Sequence, residues 1–195
     1  MEEVNMSKNI LIVVDYQKDF VTGSLGFPAA KAIEKDLADE IKLHWNNGGT
    51  VIFTYDTHDN HYLDTDEGQN LPIKHCIRGT DGWNLHGKVK EIHDYGVDNH
   101  KNYFDIFKNT FGSLTLAKAI EEVKENCGCA EEDISIEFCG VVTNICVISN
   151  AIIAKATMPN ANIRILRNLC ASNDKEMEEK AFDIMKNLHM EVVND

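Results

Sequence analysis

The chain has 195 residues, 43% of them hydrophobic and 26% charged, with only three prolines and twelve glycines. A chain this long removes roughly 70% of its unfolded surface from water on folding, so one globular domain needs neither a disulfide framework nor a structural metal. Nineteen basic against 32 acidic residues leave a net charge of −13, and without a basic cluster this argues against a nucleic-acid partner.

In chain order, the aliphatic run at residues 10–14 predicts a buried first strand. It is too short to cross a bilayer, and the residues before it carry two glutamates where an export signal needs a basic start. Neither an export signal nor a membrane span is expected. Ile33, Leu37, Ile41 and Trp45 recur every fourth position and predict a helix packed on a sheet. Residues 51–55 predict a second strand, and residues 56–83 follow as a long stretch without period. Long loops inside compact domains are usually functional. A weak third strand is predicted at 100–103, then a helix through Leu116, Ala119, Ile120 and Val123. A fourth strand is expected at 134–138. The helix after it, 144–156, is apolar nearly all round, which fits deep burial or a subunit contact. A fifth strand at 162–166, an amphipathic helix at 175–188 and a sixth strand at 191–193 complete an α/β pattern with a mostly parallel sheet. No dinucleotide fingerprint or P-loop follows any strand.

Six cysteines, at 76, 127, 129, 139, 146 and 170, predict free thiols in a reducing cytoplasm. Cys139 lies inside an apolar strand and reads as packing. Cys127-Gly-Cys129 sits in an acidic turn, a poor setting for thiolates, and reads as structural or incidental.

Asp15 emerges where the first strand ends, the edge at which open parallel sheets bind ligands. Buried there it needs a partner, whereas alone it reads as a surface carboxylate opening a loop. The fourth strand passes through Gly140 into a helix. With Thr143 as N-cap, Cys146 falls in the first turn, where unpaired N–H groups and the helix dipole favour a thiolate and can receive an oxyanion. The competing reading is a small residue packing helix on sheet. Lys108 becomes chemically interesting if the fold sets it beside Asp15 and Cys146. In the irregular loop, Asp56-Thr-His58 with a carboxylate and imidazole downstream offers mixed oxygen and nitrogen ligands to zinc, manganese or iron. His61 competes for a ligand role.

Together, Asp15-x-Gln17-x-Asp19-Phe20, Asp56-x-His58, His75-Cys76-x-x-Gly-Thr80, the Lys108 loop and Gly140-Val-Val-Thr-Asn-Ile-Cys146-Val resemble the isochorismatase-like cysteine hydrolases, and among them the nicotinamidase (pyrazinamidase) branch. The resemblance implies a three-layer α/β/α, Rossmann-like domain over residues 1–195, with a six-stranded sheet. It implies a triad of Asp15, Lys108 and Cys146, an oxyanion hole of the Val142 and Cys146 N–H groups, and a cis peptide at Val141–Val142. It also implies one divalent metal on Asp56, His58, Glu67 and His75, zinc ahead of manganese or iron. The aromatic wall carried by the branch's Trp-Pro-Pro-His run is replaced by Leu71-Pro-Ile-Lys-His75. Phe20 and Val141 are then expected at the substrate, with Trp83 or Tyr103 supplying the missing face. The implied reaction turns nicotinamide into nicotinate and ammonia through a cysteine thioester, as in NAD salvage. Its rivals are a sister hydrolase of another small amide, a carbamoyl compound or isochorismate, and, more distantly, a non-enzymatic metal or thiol-redox protein. The implied partners are a small amide and further copies of the chain in a homo-oligomer.

Overall fold

The computed structural model describes residues 8–194. Strand β1 (Asn9–Val14) is buried after its first residue, with Ile10, Ile12 and Val14 facing one core and Leu11 and Val13 the other. Two short helices follow, α1 (Lys18–Val21) and α2 (Pro28–Ala32), the second opened by a proline whose fixed φ suits a first helical turn. Helix α3 (Glu34–Asn46) buries Leu37, Ile41 and Trp45, as their four-residue spacing predicts. Strand β2 (Thr50–Asp56) is buried throughout.

The irregular loop is built from 3-10 turns and the short α4 (Asp66–Asn70), which Thr65 caps by accepting the Gly68 N–H at 3.0 Å. Helix α5 (Gly87–Asp98) and strand β3 (Tyr103–Lys108) come next. Then follow α6 (Leu114–Cys127), β4 (Ser135–Val141), a π turn (Thr143–Val147), α7 (Ile148–Thr157), β5 (Asn162–Ala171), α8 (Lys175–Asn187) and β6 (Glu191–Val193).

The sheet runs β3-β2-β1-β4-β5-β6 with every pair parallel. Helices α6, α7 and α8 cover one face, and α2, α3 and α5 the other, which is the three-layer arrangement expected. The chain builds outward from β1 to β3 and then returns to lay β4 on the other side of β1. The carboxyl ends of β1 and β4 therefore flank a topological switch point, where a crevice opens.

Several expectations change. The third strand is not residues 100–103 but Tyr103–Lys108. Charges at Asp105 and Lys108 mask it in sequence, yet both find partners in the fold, His93 at 3.1 Å and Asp15 at 2.6 Å. Helix α5 was not foreseen. It buries only Val89 and Gly96, and a Cβ on Gly96 would stand 2.2 Å from the Trp45 ring, so the helix gives up side-chain periodicity for close approach. Strands β4 and β5 run further than 134–138 and 162–166. Cys127 and Cys129 form a disulfide, correcting the expectation of six free thiols, because the turn at Gly128 sets their Cα atoms 5.3 Å apart. The other four are free and buried. Among the described residues no helix is long and apolar enough to cross a membrane.

Candidate active site

At the switch point Val14 pairs with Gly140, whose φ is 111° and whose added Cβ would lie 2.2 Å from the Val14 carbonyl oxygen. Only glycine lets the two strands meet at this register. The next residue, Asp15, holds a φ of 47°, which turns its carboxylate out of the strand direction while leaving it fully buried. Oδ1 accepts the Thr54 hydroxyl at 2.7 Å, and Lys108 Nζ lies 2.6 Å from Oδ2. Lys108 arrives there because β3 ends in register with β2, Lys108 opposite Asp56. Its ammonium also lies 3.7 Å from Cys146 Sγ and 3.9 Å from Asp56 Oδ1. The fold thus unites Asp15, Lys108 and Cys146 from three separate elements.

Electrostatics in this set run against an idle thiolate. Burial raises the Cys146 thiol well above its usual range, and the Asp15 and Asp56 charges add to burial while Lys108 opposes it. Burial thus favours the neutral thiol over the thiolate expected from a helix start. Burial also raises Asp15, against the pull of Lys108. For Lys108 burial works against the charge, but Asp15, Cys146 and Asp56 outweigh it and keep the ammonium protonated.

The Val141–Val142 peptide is cis, as the resemblance implies. The turn that follows it departs from expectation. Thr143 is not the N-cap: its hydroxyl donates to the buried Glu178 of α8 at 2.8 Å, and the turn is a π turn in which Ile145 and Val147 N–H groups converge on the Val142 carbonyl at 3.0 and 3.2 Å. Cys146 lies inside that turn.

Beside it, four side chains from the end of β2 and the irregular loop converge. His58 and His75 Nε2 lie 2.9 and 3.2 Å from Asp56 Oδ2, and 3.8 and 3.5 Å from Glu67 Oε1. All four donor atoms fall within 4.8 Å of one another. The His75 Nδ1–H donates to the Ile73 carbonyl at 2.8 Å, which leaves Nε2 facing the cluster. Burial disfavours a charged His75, yet hydrogen bonds to Asp56 and Glu67 carry its pKa to about 10. Two carboxylates and two imidazoles focused on one point are a donor set that fits a divalent cation. His61 is outside it, exposed and turned to Asp64 at 3.4 Å.

Both groups open into one cavity of about 200 Å3, lined by Cys146 and Val142 on one side and by Asp56, Glu67 and His75 on the other. Phe20 is in its wall, its ring 5.5 Å from that of His75. Three expected wall residues are elsewhere. Val141 is fully buried in the core, Trp83 stacks on Phe107 at 5.6 Å outside the cavity, and Tyr103 begins β3 with its ring edge-on to His93. Trp83 is drawn away because its indole N–H donates to the Thr57 hydroxyl at 2.9 Å. The missing aromatic faces are Phe27 and Phe111, with Leu25, Leu71, Ile145 and Asn173 completing the wall. The aromatic character of Phe27 and Phe111 is visible in sequence, but nothing local marks which loop closes over the cysteine.

A parallel sheet with a cysteine, a lysine and two carboxylates gathered at its switch point marks an α/β domain equipped for nucleophilic chemistry. The chain belongs to the isochorismatase family, whose isochorismatase domain matches residues 9–194. Its structure is similar to nicotinamidase PncA from Bacillus subtilis, with a TM-score of 0.82 and 26% identity over 96% of this chain and 100% of that one. It is similar also to pyrazinamidase/nicotinamidase from Streptococcus mutans UA159, with a TM-score of 0.80 and 27% identity over 95% and 99% of the two chains. The pyrazinamidase of Pyrococcus horikoshii, solved in complex with zinc, shares the fold with a TM-score of 0.77 at 24% identity over 97% and 100%. The comparison with curated proteins found no match.

Proposed function

We propose that this hydrolase cleaves a small aromatic carboxamide, nicotinamide first among them, to the carboxylate and ammonia. The observation that carries the reading is the shared cavity: Cys146 and three members of the four-residue cluster, Asp56, Glu67 and His75, line one space of about 200 Å3, room for a one-ring amide. A ring fixed at the cluster would present its carboxamide carbon to Sγ.

As the sulfur attacks, Asp15 takes the thiol proton, while Lys108 holds the developing thiolate and keeps the carboxylate oriented. The Val142 and Cys146 N–H groups receive the oxyanion. When the C–N bond breaks, Asp15 returns the proton to the leaving nitrogen, giving ammonia and a thioester. Asp15 then takes a proton from the water that attacks the thioester and returns it to the sulfur as the C–S bond breaks, which releases the acid and restores the thiol. Phe20, Phe27 and Phe111 pack on the ring and exclude bulk water. Asp56, His58, Glu67 and His75 would hold one divalent cation, zinc ahead of manganese or iron, whose chemistry is to bind a ring nitrogen and orient it.

A sister activity on a carbamoyl compound is kept in view by the Leu71 wall and by the likeness of fold to N-carbamoylsarcosine amidase from Thermoplasma acidophilum, with a TM-score of 0.73 and 19% identity over 95% of each chain. A panel of nicotinamide, an aliphatic amide, a carbamoyl amine and isochorismate separates them by kcat/KM. The reading expects nicotinamide to lead the panel, and is overturned if a carbamoyl amine or isochorismate leads while nicotinamide is inert. The same reading takes residues 1–195 as one domain working in the cytoplasm as a homo-oligomer, through apolar residues left outside such as Leu114 and Ile152.

A further inference from the structure

We infer that the segment leaving β1 positions the metal ligands, with Gln17 setting Asp56 and Asp19 setting His75, an inference that rests on the cation reading of the four-residue cluster. Gln17 is fully buried, and its side-chain amide bonds main-chain groups of Asp56 and Trp83. Its Oε1 accepts the Asp56 N–H at 2.7 Å, and its Nε2 donates to the Asp56 and Trp83 carbonyls, each at 2.8 Å. One N–H and two C=O groups admit a single orientation of the amide, and a carboxylate there would face two carbonyl oxygens. The peptide groups on both sides of Asp56 are thereby fixed, while its side chain is left to face the two histidines.

Two residues on, Asp19 does the equivalent for the far side of the cluster. Its Oδ2 accepts the N–H of Cys76, the residue after His75, at 2.8 Å. Cys76 holds a φ of 47°, a conformation that needs outside support, and its carbonyl accepts the His58 N–H at 3.0 Å. One residue, Cys76, thus links Asp19 to both histidine segments through its N–H and its carbonyl. Space is reserved for the carboxylate: a Cβ on Gly82 would lie 2.2 Å from Asp19 Oδ2. The base Asp15 and the supports Gln17 and Asp19 therefore alternate along five residues, so that the proton acceptor and the cation site are set by one piece of backbone. Both supports act through the main chain and neither belongs to the ligand set.

The test is zinc affinity, measured on the whole protein by competition with a chromogenic chelator, beside the melting temperature of each metal-free variant. Gln17→Leu and Asp19→Ala are expected to weaken zinc binding by about 10- to 100-fold, the usual effect of losing an outer support of a metal ligand. Asp19→Asn keeps an acceptor for the Cys76 N–H and is expected to rescue most of that loss. Lys18→Ala, between the two supports, is expected to change nothing. A role confined to folding would lower the metal-free melting temperature and leave zinc affinity alone. Should Gln17→Leu fail to fold, the Asp19 variants decide, since that side chain is only half-buried. Folded variants with wild-type zinc affinity would overturn the inference by itself. A wild-type protein that binds no zinc would overturn the cation reading, and the inference with it.

Discussion

Asp15, Lys108 and Cys146 are buried together, with the Lys108 ammonium 2.6 Å from the carboxylate and 3.7 Å from the sulfur. Asp15→Asn removes the proton acceptor, so kcat is expected to fall by about 10²- to 10⁴-fold. The same change strands the Lys108 ammonium, which is only 5% exposed, and breaking a buried pair in this way costs about 3–5 kcal/mol. Urea unfolding of the variant checks the second effect, and an unchanged midpoint would show that Asp56, 3.9 Å from Nζ, suffices as a partner. For the pocket, Phe111→Ala is expected to raise KM for a ring amide while Trp83→Ala leaves it unmoved; the reverse pattern would put the ring on the Trp83 side. The end of the first strand and the glycine turn single out Asp15 and Cys146 in the sequence, whereas Lys108, Glu67 and His75 become candidates only through the family resemblance. The wall could not be read there, because Phe27 and Phe111 reach the cavity from loops whose paths depend on the whole fold.

At the scale of elements, His93 ties α5 to β3 through Asp105 at 3.1 Å. Burial disfavours its charge, but the Asp105 and Asp94 carboxylates overcome this and raise its pKa above the ordinary value. The folded state therefore binds the proton more tightly than the unfolded chain. The stability this contributes is complete below about pH 6.5 and is lost as pH rises through the raised folded value. Urea unfolding of wild type and His93→Ala across that interval should show the difference between them shrinking with rising pH, and a constant difference would contradict the assignment. This pair also explains what sequence alone missed. Helices α3, α6 and α8 show apolar stripes and were readable, whereas α5 and β3 carry their partners as His93, Asp105 and Lys108, charges that look solvated until the elements meet. The buried run of β1 and the brief β6 needed no such partners and were read at nearly their true bounds.

For the whole molecule, the cation proposed on Asp56, His58, Glu67 and His75 would make metal loading a stability variable. Zinc at roughly 100 times its dissociation constant should add about 2.7 kcal/mol to unfolding. For 195 residues that corresponds to a rise of roughly 5–11 °C in melting temperature. The rise should vanish in Asp56→Asn/His75→Ala, and an equal rise in that variant would place the cation elsewhere. Architecture and strand count were accessible from the alternation of strands and helices, because parallel sheets leave few topologies open, and Asp15 at the end of the first strand pointed to the sheet's carboxyl edge. In the proposed reaction Cys146 carries the acyl group during amide hydrolysis. The most direct test of this step is to supply nicotinamide with hydroxylamine and follow hydroxamate and ammonia together, in wild type and Cys146→Ala. Hydroxamate formed by the wild type and by none of the variant is the predicted result; ammonia released by Cys146→Ala at near the wild-type rate would contradict it.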